Sequence, residues 1–71
     1  MMKQSKLCKI CACIRHDFED DGYMLNGTSR EKGKRIWYYI HENGGSITIV
    51  LNLNLNILRV FRFGKLIIEY L

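Results

Sequence analysis

The sequence predicts an α+β fold in which one N-terminal helix packs on an antiparallel β-meander of three to four strands. Apolar residues recur at helical spacing as far as Phe18, then alternate at strand spacing from about Arg35 onward. Glycine- and asparagine-containing turns punctuate the second half. The chain has 71 residues, 48% apolar and 25% charged, which is globular composition at a length that builds one small domain, 1–71.

The helix is expected over about 3–19. Leu7, Ile10, Cys11, Ile14 and Phe18 fall on one stripe, with Lys9, Ala12, Cys13 and His16 opposite. Either Ser5 caps its start or the helix begins at Lys3. Asp17, Glu19, Asp20 and Asp21 crowd its end, where the macrodipole opposes negative charge. The expected stop is therefore Phe18 or Glu19, with a turn at Asp21-Gly22. Tyr23 to Leu25 is a candidate short strand, and 26–34 reads as a polar, basic loop.

The meander is expected over 35–71. Asn43-Gly44 read as a two-residue turn sets Ile40 opposite Ile47, Tyr38 opposite Ile49 and Ile36 opposite Leu51. A connection at 54–56 sets Leu53 against Ile57 and Ile49 against Phe61, and a turn at Gly64-Lys65 sets Phe63 against Leu66. These registers place Ile36, Tyr38, Ile40, Ile47, Ile49, Leu51, Leu53, Ile57, Phe61, Phe63, Leu66, Ile68 and Tyr70 under the helix, with Arg59 as the one misfit. A single bent strand from Ser46 to Phe63 is the rival reading.

One helix covers one side of such a sheet. The other side is then expected to display Trp37, Tyr39, Val50, Leu58, Val60, Ile67 and Leu71 among Thr48, Asn52, Arg62, Glu69 and His41. Either the Tyr23 region and the basic loop fold over this face and bury it, or an apolar sheet face of this kind marks an interaction surface. Trp37, Tyr39, Val60, Arg62, Ile67 and Glu69 are accordingly the expected protein-binding residues.

Three cysteines, Cys8, Cys11 and Cys13, lie within six residues, and an odd number cannot pair fully within one chain. That points to a reducing, cytoplasmic compartment and to no disulfide framework. A zinc-stabilised domain built from Cys8, Cys11, Cys13, His16 and His41 is an alternative, but the C-x-x-C pair has no matching second pair, so no metal or other cofactor is expected. Cys11 should pack as a small hydrophobe. The acidic run at 17–21 reads as solvated, and no nucleophile–histidine–acid spacing supports an enzyme. The apolar stretch at 7–14 is too short for a signal-peptide core, and charges at Arg59, Arg62, Lys65 and Glu69 exclude a helical membrane span from the C-terminal region.

The formal net charge is +4. Arg30, Lys32, Lys34 and Arg35 precede Trp37, Tyr38 and Tyr39, and Arg59 and Arg62 lie among phenylalanines. Cations interleaved with aromatics suit single-stranded nucleic acid. An RNA- or DNA-binding module using Arg30, Lys32, Lys34, Arg35, Arg59 and Arg62 is therefore the second functional expectation.

The order of one helix followed by three or more antiparallel strands, over about 5–53, resembles the double-stranded-RNA-binding arrangement of small messenger-RNA-cleaving toxins of the HicA type. That family places a histidine after a Gly-Ser pair on a strand. Here His41 follows Ile40 at a strand end, so the resemblance implies topology and carries over no catalytic residue.

The leading expectation is a non-catalytic protein-binding module, a homodimer that also engages an unidentified protein. A small domain gains stability from a second subunit. The Ile-, Asn- and Lys-rich composition associates it with phage or mobile-element chains that inhibit or regulate a host protein.

Overall fold

A computed structural model describes residues 3–71. A helix, α1 (Gln4–Asp20), precedes five strands: β1 (Met24–Glu31), β2 (Lys34–Ile40), β3 (Ser46–Asn52), β4 (Ile57–Arg62) and β5 (Lys65–Tyr70). The strands form one open antiparallel sheet in chain order, β1-β2-β3-β4-β5. The α+β class is as expected from the sequence, with five strands in place of three to four.

The helix forms where its stripe predicts. Leu7 and Cys11 are buried, and Ile10, Ile14 and Phe18 pack against the same core. Lys9, Ala12, Cys13 and His16 face solvent. Lys3, in extended conformation, is the N-cap, so Ser5 lies inside the first turn. Truncating Leu7, which has no exposed surface, removes a contact worth about 2–5 kcal/mol at such a site.

Its C-terminus closes by main-chain hydrogen bonds that do not depend on charge. Gly22 N–H donates to the Glu19 carbonyl at 3.1 Å and Tyr23 N–H to the Phe18 carbonyl at 3.0 Å, the two bonds of a Schellman motif. Gly22 takes φ +97°, where a side chain is strained. The rings of Phe18 and Tyr23 then meet edge to face at 5.4 Å, sealing the turn with an apolar contact.

The 26–34 segment is not a loop. Strand β1 runs through it and pairs with β2 from Met24↔Ile40 to Glu31↔Lys34, with a bulge between Leu25 and Gly27. An edge strand has only one neighbour and needs little apolar content, so a polar sequence pairs there through its backbone. The chain reverses at Lys32-Gly33. Gly33 has φ +73°, and a Cβ there would collide with the Asn54 side chain.

Three hairpin registers also differ from the expected ones. Between β2 and β3 the turn spans 41–45, closed by His41 N–H donating to the Gly45 carbonyl at 2.9 Å, and Ile40 lies opposite Ser46. Between β3 and β4, Asn52 lies opposite Ile57 and Ile49 opposite Val60. Phe63 and Gly64, both with positive φ (49° and 79°), make the β4–β5 turn and set Arg62 opposite Lys65. The first two are one-residue shifts, and such a shift turns every affected side chain to the other face.

The asparagine-rich stretch works as a turn. Asn52 Oδ1 accepts from Leu55 N–H at 3.0 Å, Asn54 Nδ2 donates to the Lys32 carbonyl at 3.4 Å, and Asn56 takes φ 59°. Leu53 N–H donates to the Gly33 carbonyl at 2.7 Å, tying this turn to the β1–β2 turn.

The core therefore consists of Leu7 and Cys11 against Tyr39, Ile47, Ile49, Leu51, Leu58 and Val60, with Trp37, Ile68 and Tyr70 packed at its margin. The β3 residues, Ile68 and Tyr70 lie on the expected side. Strands β2 and β4 are reversed: Trp37, Tyr39, Leu58 and Val60 face the helix, and Ile36, Tyr38, Ile40, Ile57 and Phe61 face away.

Candidate binding surfaces

This reversal relocates the expected protein-binding residues. Tyr39 and Val60 have no exposed surface. Trp37 is half-buried, with the Arg15 guanidinium 4.7 Å from its ring centroid. Arg62 shares the helix side with Ile47, its cross-strand neighbour, and is exposed. Ile67 falls in the β4–β5 irregularity between Leu66 and Ile68, and 43% of it is exposed. Only Glu69 lies where expected, on the lidless face, where its carboxylate accepts from Arg59 Nε at 2.6 Å.

The lidless face carries a different apolar set. Ile36, Tyr38 and Ile40 from β2 stand beside Val50 from β3, Ile57 and Phe61 from β4, and Leu66 from β5. Tyr38, Ile40 and Leu66 are exposed at 39%, 40% and 49%. A depression of about 210 Å³ lies between Lys34, Val50, Ile57, Arg59 and Phe61. Its charges balance: Glu31 opposes Lys34 across β1–β2, and Arg59 opposes Glu69 across β4–β5. No helix covers this side, so the sheet has two apolar faces and one lid, with the identities of the uncovered residues corrected.

A second surface lies beside the helix. Arg15, Arg30 and Arg35 line a cleft of about 310 Å³ together with Thr28, Ser29, Ile36 and Trp37. Arg30 and Arg35 are direct cross-strand neighbours on the helix side of β1 and β2. None of these three arginines makes an ion pair among the described residues. Arg15 Nε donates to the Tyr39 hydroxyl at 3.2 Å, and that hydroxyl donates to Glu19 at 2.7 Å. Burial, ahead of the opposing effects of Arg15 and Glu19, raises the Tyr39 phenol above its ordinary value of 10.0.

The six cations expected to bind nucleic acid do not form one patch. Arg30 and Arg35 meet in the cleft, Lys32 occupies the adjoining turn, Arg62 lies on the helix side of β4 outside the cleft, and Lys34 and Arg59 lie on the opposite side of the sheet. Arg15 is the cleft residue that sequence reasoning missed. It neighbours the helix stripe, and its place over Trp37 depends on which aromatic of β2 turns inward.

The remaining sequence candidates separate. Cys8 and Cys13 are exposed while Cys11 is buried. Burial pushes the Cys11 thiol from 9.0 up to about 11, with Arg15 opposing and Cys8 adding to the rise. No group of three or more His, Cys, Asp or Glu residues converges among the described residues. His41 instead holds a turn: Asn43 N–H donates to its Nδ1 at 3.1 Å, leaving Nε2–H to donate to the Asp21 carbonyl at 3.1 Å. His16 lies 3.2 Å from Asp20, one turn along the helix. Among the described residues no helix is long and apolar enough to cross a membrane.

Compared with known proteins, the chain matches no family, and no curated protein or solved structure shows significant similarity to it.

Proposed function

We propose that this chain is a non-catalytic protein-binding module that pairs its lidless sheet face with a second copy of itself. The observation that carries this reading is the apolar row of Ile36, Tyr38, Ile40, Val50 and Phe61, exposed at Tyr38 and Ile40 and half-buried at the others, on a sheet whose one helix among the described residues lies on the other side. Five strands at about 4.8 Å spacing and about 20 Å length give a projected area of roughly 500 Å². Two copies face to face bury about 1,000 Å² by that measure, the lower bound for a specific interface, and side-chain relief adds to it.

Charge favours a second copy over a strongly charged partner. The face bears Glu31 and Glu69 against Lys34 and Arg59, so two such faces meet without net repulsion although the whole chain is at +4. A two-fold axis makes each contact occur twice, residue i of one copy on j of the other and j on i, so one favourable charge pair counts double. The same arrangement supplies the extra core that a small scaffold needs.

Sedimentation velocity of the untagged protein at micromolar concentration tests the reading. A dimer is expected for the parent chain, and monomers with unchanged far-ultraviolet circular dichroism for Tyr38→Glu and Phe61→Glu. A parent chain that sediments as a monomer, or variants that fold and still dimerise, overturns it.

A further inference from the structure

We infer that the cleft between α1 and the β1–β2 hairpin binds the phosphodiester backbone of single-stranded nucleic acid through Arg15, Arg30 and Arg35. Like charges set directly across antiparallel strands destabilise the pairing, and here Arg30 faces Arg35. No acidic side chain lines the cleft to offset them. Glu19, one turn from Arg15, is engaged by the Tyr39 hydroxyl at 2.7 Å. A concave site with three guanidinium groups that make no ion pair, Arg15 also donating to the Tyr39 hydroxyl through Nε, and with the Thr28 hydroxyl on the same side is complementary to a phosphate oxyanion, which accepts from such donors.

The neighbouring aromatic argues for a strand over an isolated anion. Trp37 lines the same cleft, half-buried with Arg15 over its ring, so a base that stacks there meets the ring's exposed part beside the guanidinium, and an aromatic beside a cationic track is the mode by which proteins hold single strands. The cleft holds about 310 Å³, room for one nucleotide unit, and it is open for the chain to continue. The wider charge distribution agrees. Since the lidless face carries two positive and two negative side chains, the whole excess of +4 lies elsewhere on the molecule. The cleft shares Ile36 with the dimer surface, but Arg15, Arg30 and Arg35 lie outside that surface and Tyr38 and Phe61 lie outside the cleft, so different residues test the two proposals.

Trp37 is the sole tryptophan of the chain and reports directly on the cleft. Its fluorescence is followed while a single-stranded oligonucleotide of about 12 nucleotides is added at low salt, in parallel with anisotropy of a labelled copy. Quenching with saturation is expected, with affinity falling steeply as salt rises from about 50 to 200 mM. Arg30→Ala and Arg35→Ala are each expected to weaken binding about fivefold and to lower the salt slope by about one. Arg62→Ala, outside the cleft, is expected to leave it unchanged.

The same arginine variants should raise the melting temperature of the free protein by relieving the Arg30–Arg35 repulsion. This readout also checks that they fold. Absence of quenching and of anisotropy change, or full binding by both arginine variants, overturns the proposal. Inorganic phosphate that quenches as effectively as the oligonucleotide makes the cleft a free-anion site, and a duplex bound as tightly makes it a general polyanion site. Either result overturns the assignment to single strands.

Discussion

The Tyr39 hydroxyl donates a 2.7 Å hydrogen bond to the Glu19 carboxylate, joining the middle of the sheet to the last turn of the helix. Arg15 Nε donates to the same oxygen at 3.2 Å, so one phenol serves two helix residues one turn apart. The bond fixes how far along the sheet the helix sits. A purely apolar contact between α1 and β2 would leave that placement free to slide.

Replacing Tyr39 by Phe keeps the ring and removes both bonds. The expected loss is about 1–2 kcal/mol, since one partner is a carboxylate and hydrogen bonds to charged groups are the stronger kind. Urea denaturation with an unchanged m-value checks it. A variant as stable as the parent would mean that the Glu19 and Arg15 contacts contribute nothing net.

Trp37 and Tyr38 are adjacent in sequence and on opposite sides of the sheet, with Trp37 packed on the core and Tyr38 exposed at 39%. Trp37→Ala is therefore expected to destabilise the fold by about 3–4 kcal/mol. Tyr38→Ala is expected to leave folding within about 1 kcal/mol and to weaken self-association. Thermal melts and sedimentation on the pair distinguish the two sides, and the opposite pattern would restore the two-residue Asn43-Gly44 register.

The pH dependence follows from Cys11. Its thiol ionises at about 11 in the folded chain against 9.0 when unperturbed, so the unfolded state loses its proton first. Stability is fully present below pH 9 and is lost as pH rises toward 11, by on the order of 2 kcal/mol. The raised Tyr39 phenol acts in the same direction above pH 10. Cys11→Ala should shallow the decline between pH 9 and 11 in a series of urea melts. Thiol labelling of the native protein should reach Cys8 and Cys13 quickly and Cys11 only on opening.

Gly22→Ala tests the helix stop. The substituted Cβ would sit 2.9 Å from His41 Nε2 at a φ of +97°. A loss of about 1–2 kcal/mol is expected, measured as a fall in melting temperature. A neutral effect would show that the Schellman turn and its His41 neighbour yield without cost.

What was legible in the sequence depends on how one-sided each element is. Helix α1 has a single apolar stripe, and Leu7, Cys11, Ile14 and Phe18 lie where the spacing puts them. Strand β3 alternates Ile47, Ile49 and Leu51 with Thr48, Val50 and Asn52, and its inner side was readable too. Strand β2 is apolar at every position from Ile36 to Ile40, so alternation says nothing and the register rests on the turn. That turn holds five residues, 41–45, where Asn43-Gly44 suggested two.

Arg59 carried the visible warning. Under the expected register it faced the core, whereas a one-residue shift turns it outward to Glu69, 2.6 Å away. The same shift brings Val60 and Leu58 inward, exchanging the partner face and the core on β4. The Arg15 cleft was hidden for a related reason, because it needs both the inward Trp37 and the β1 pairing that a polar sequence conceals.

Every strand in this sheet lies beside its neighbour in the chain. Each hairpin can zip from its own reversal after closing only a short loop, a microsecond event for an isolated hairpin. Bringing Leu7 and Cys11 onto Val60 instead closes a loop of most of the molecule, the one costly long-range step. Until that docking happens, either side of the nascent ribbon can serve as the inside, and it is the arrival of the helix that commits the molecule to one.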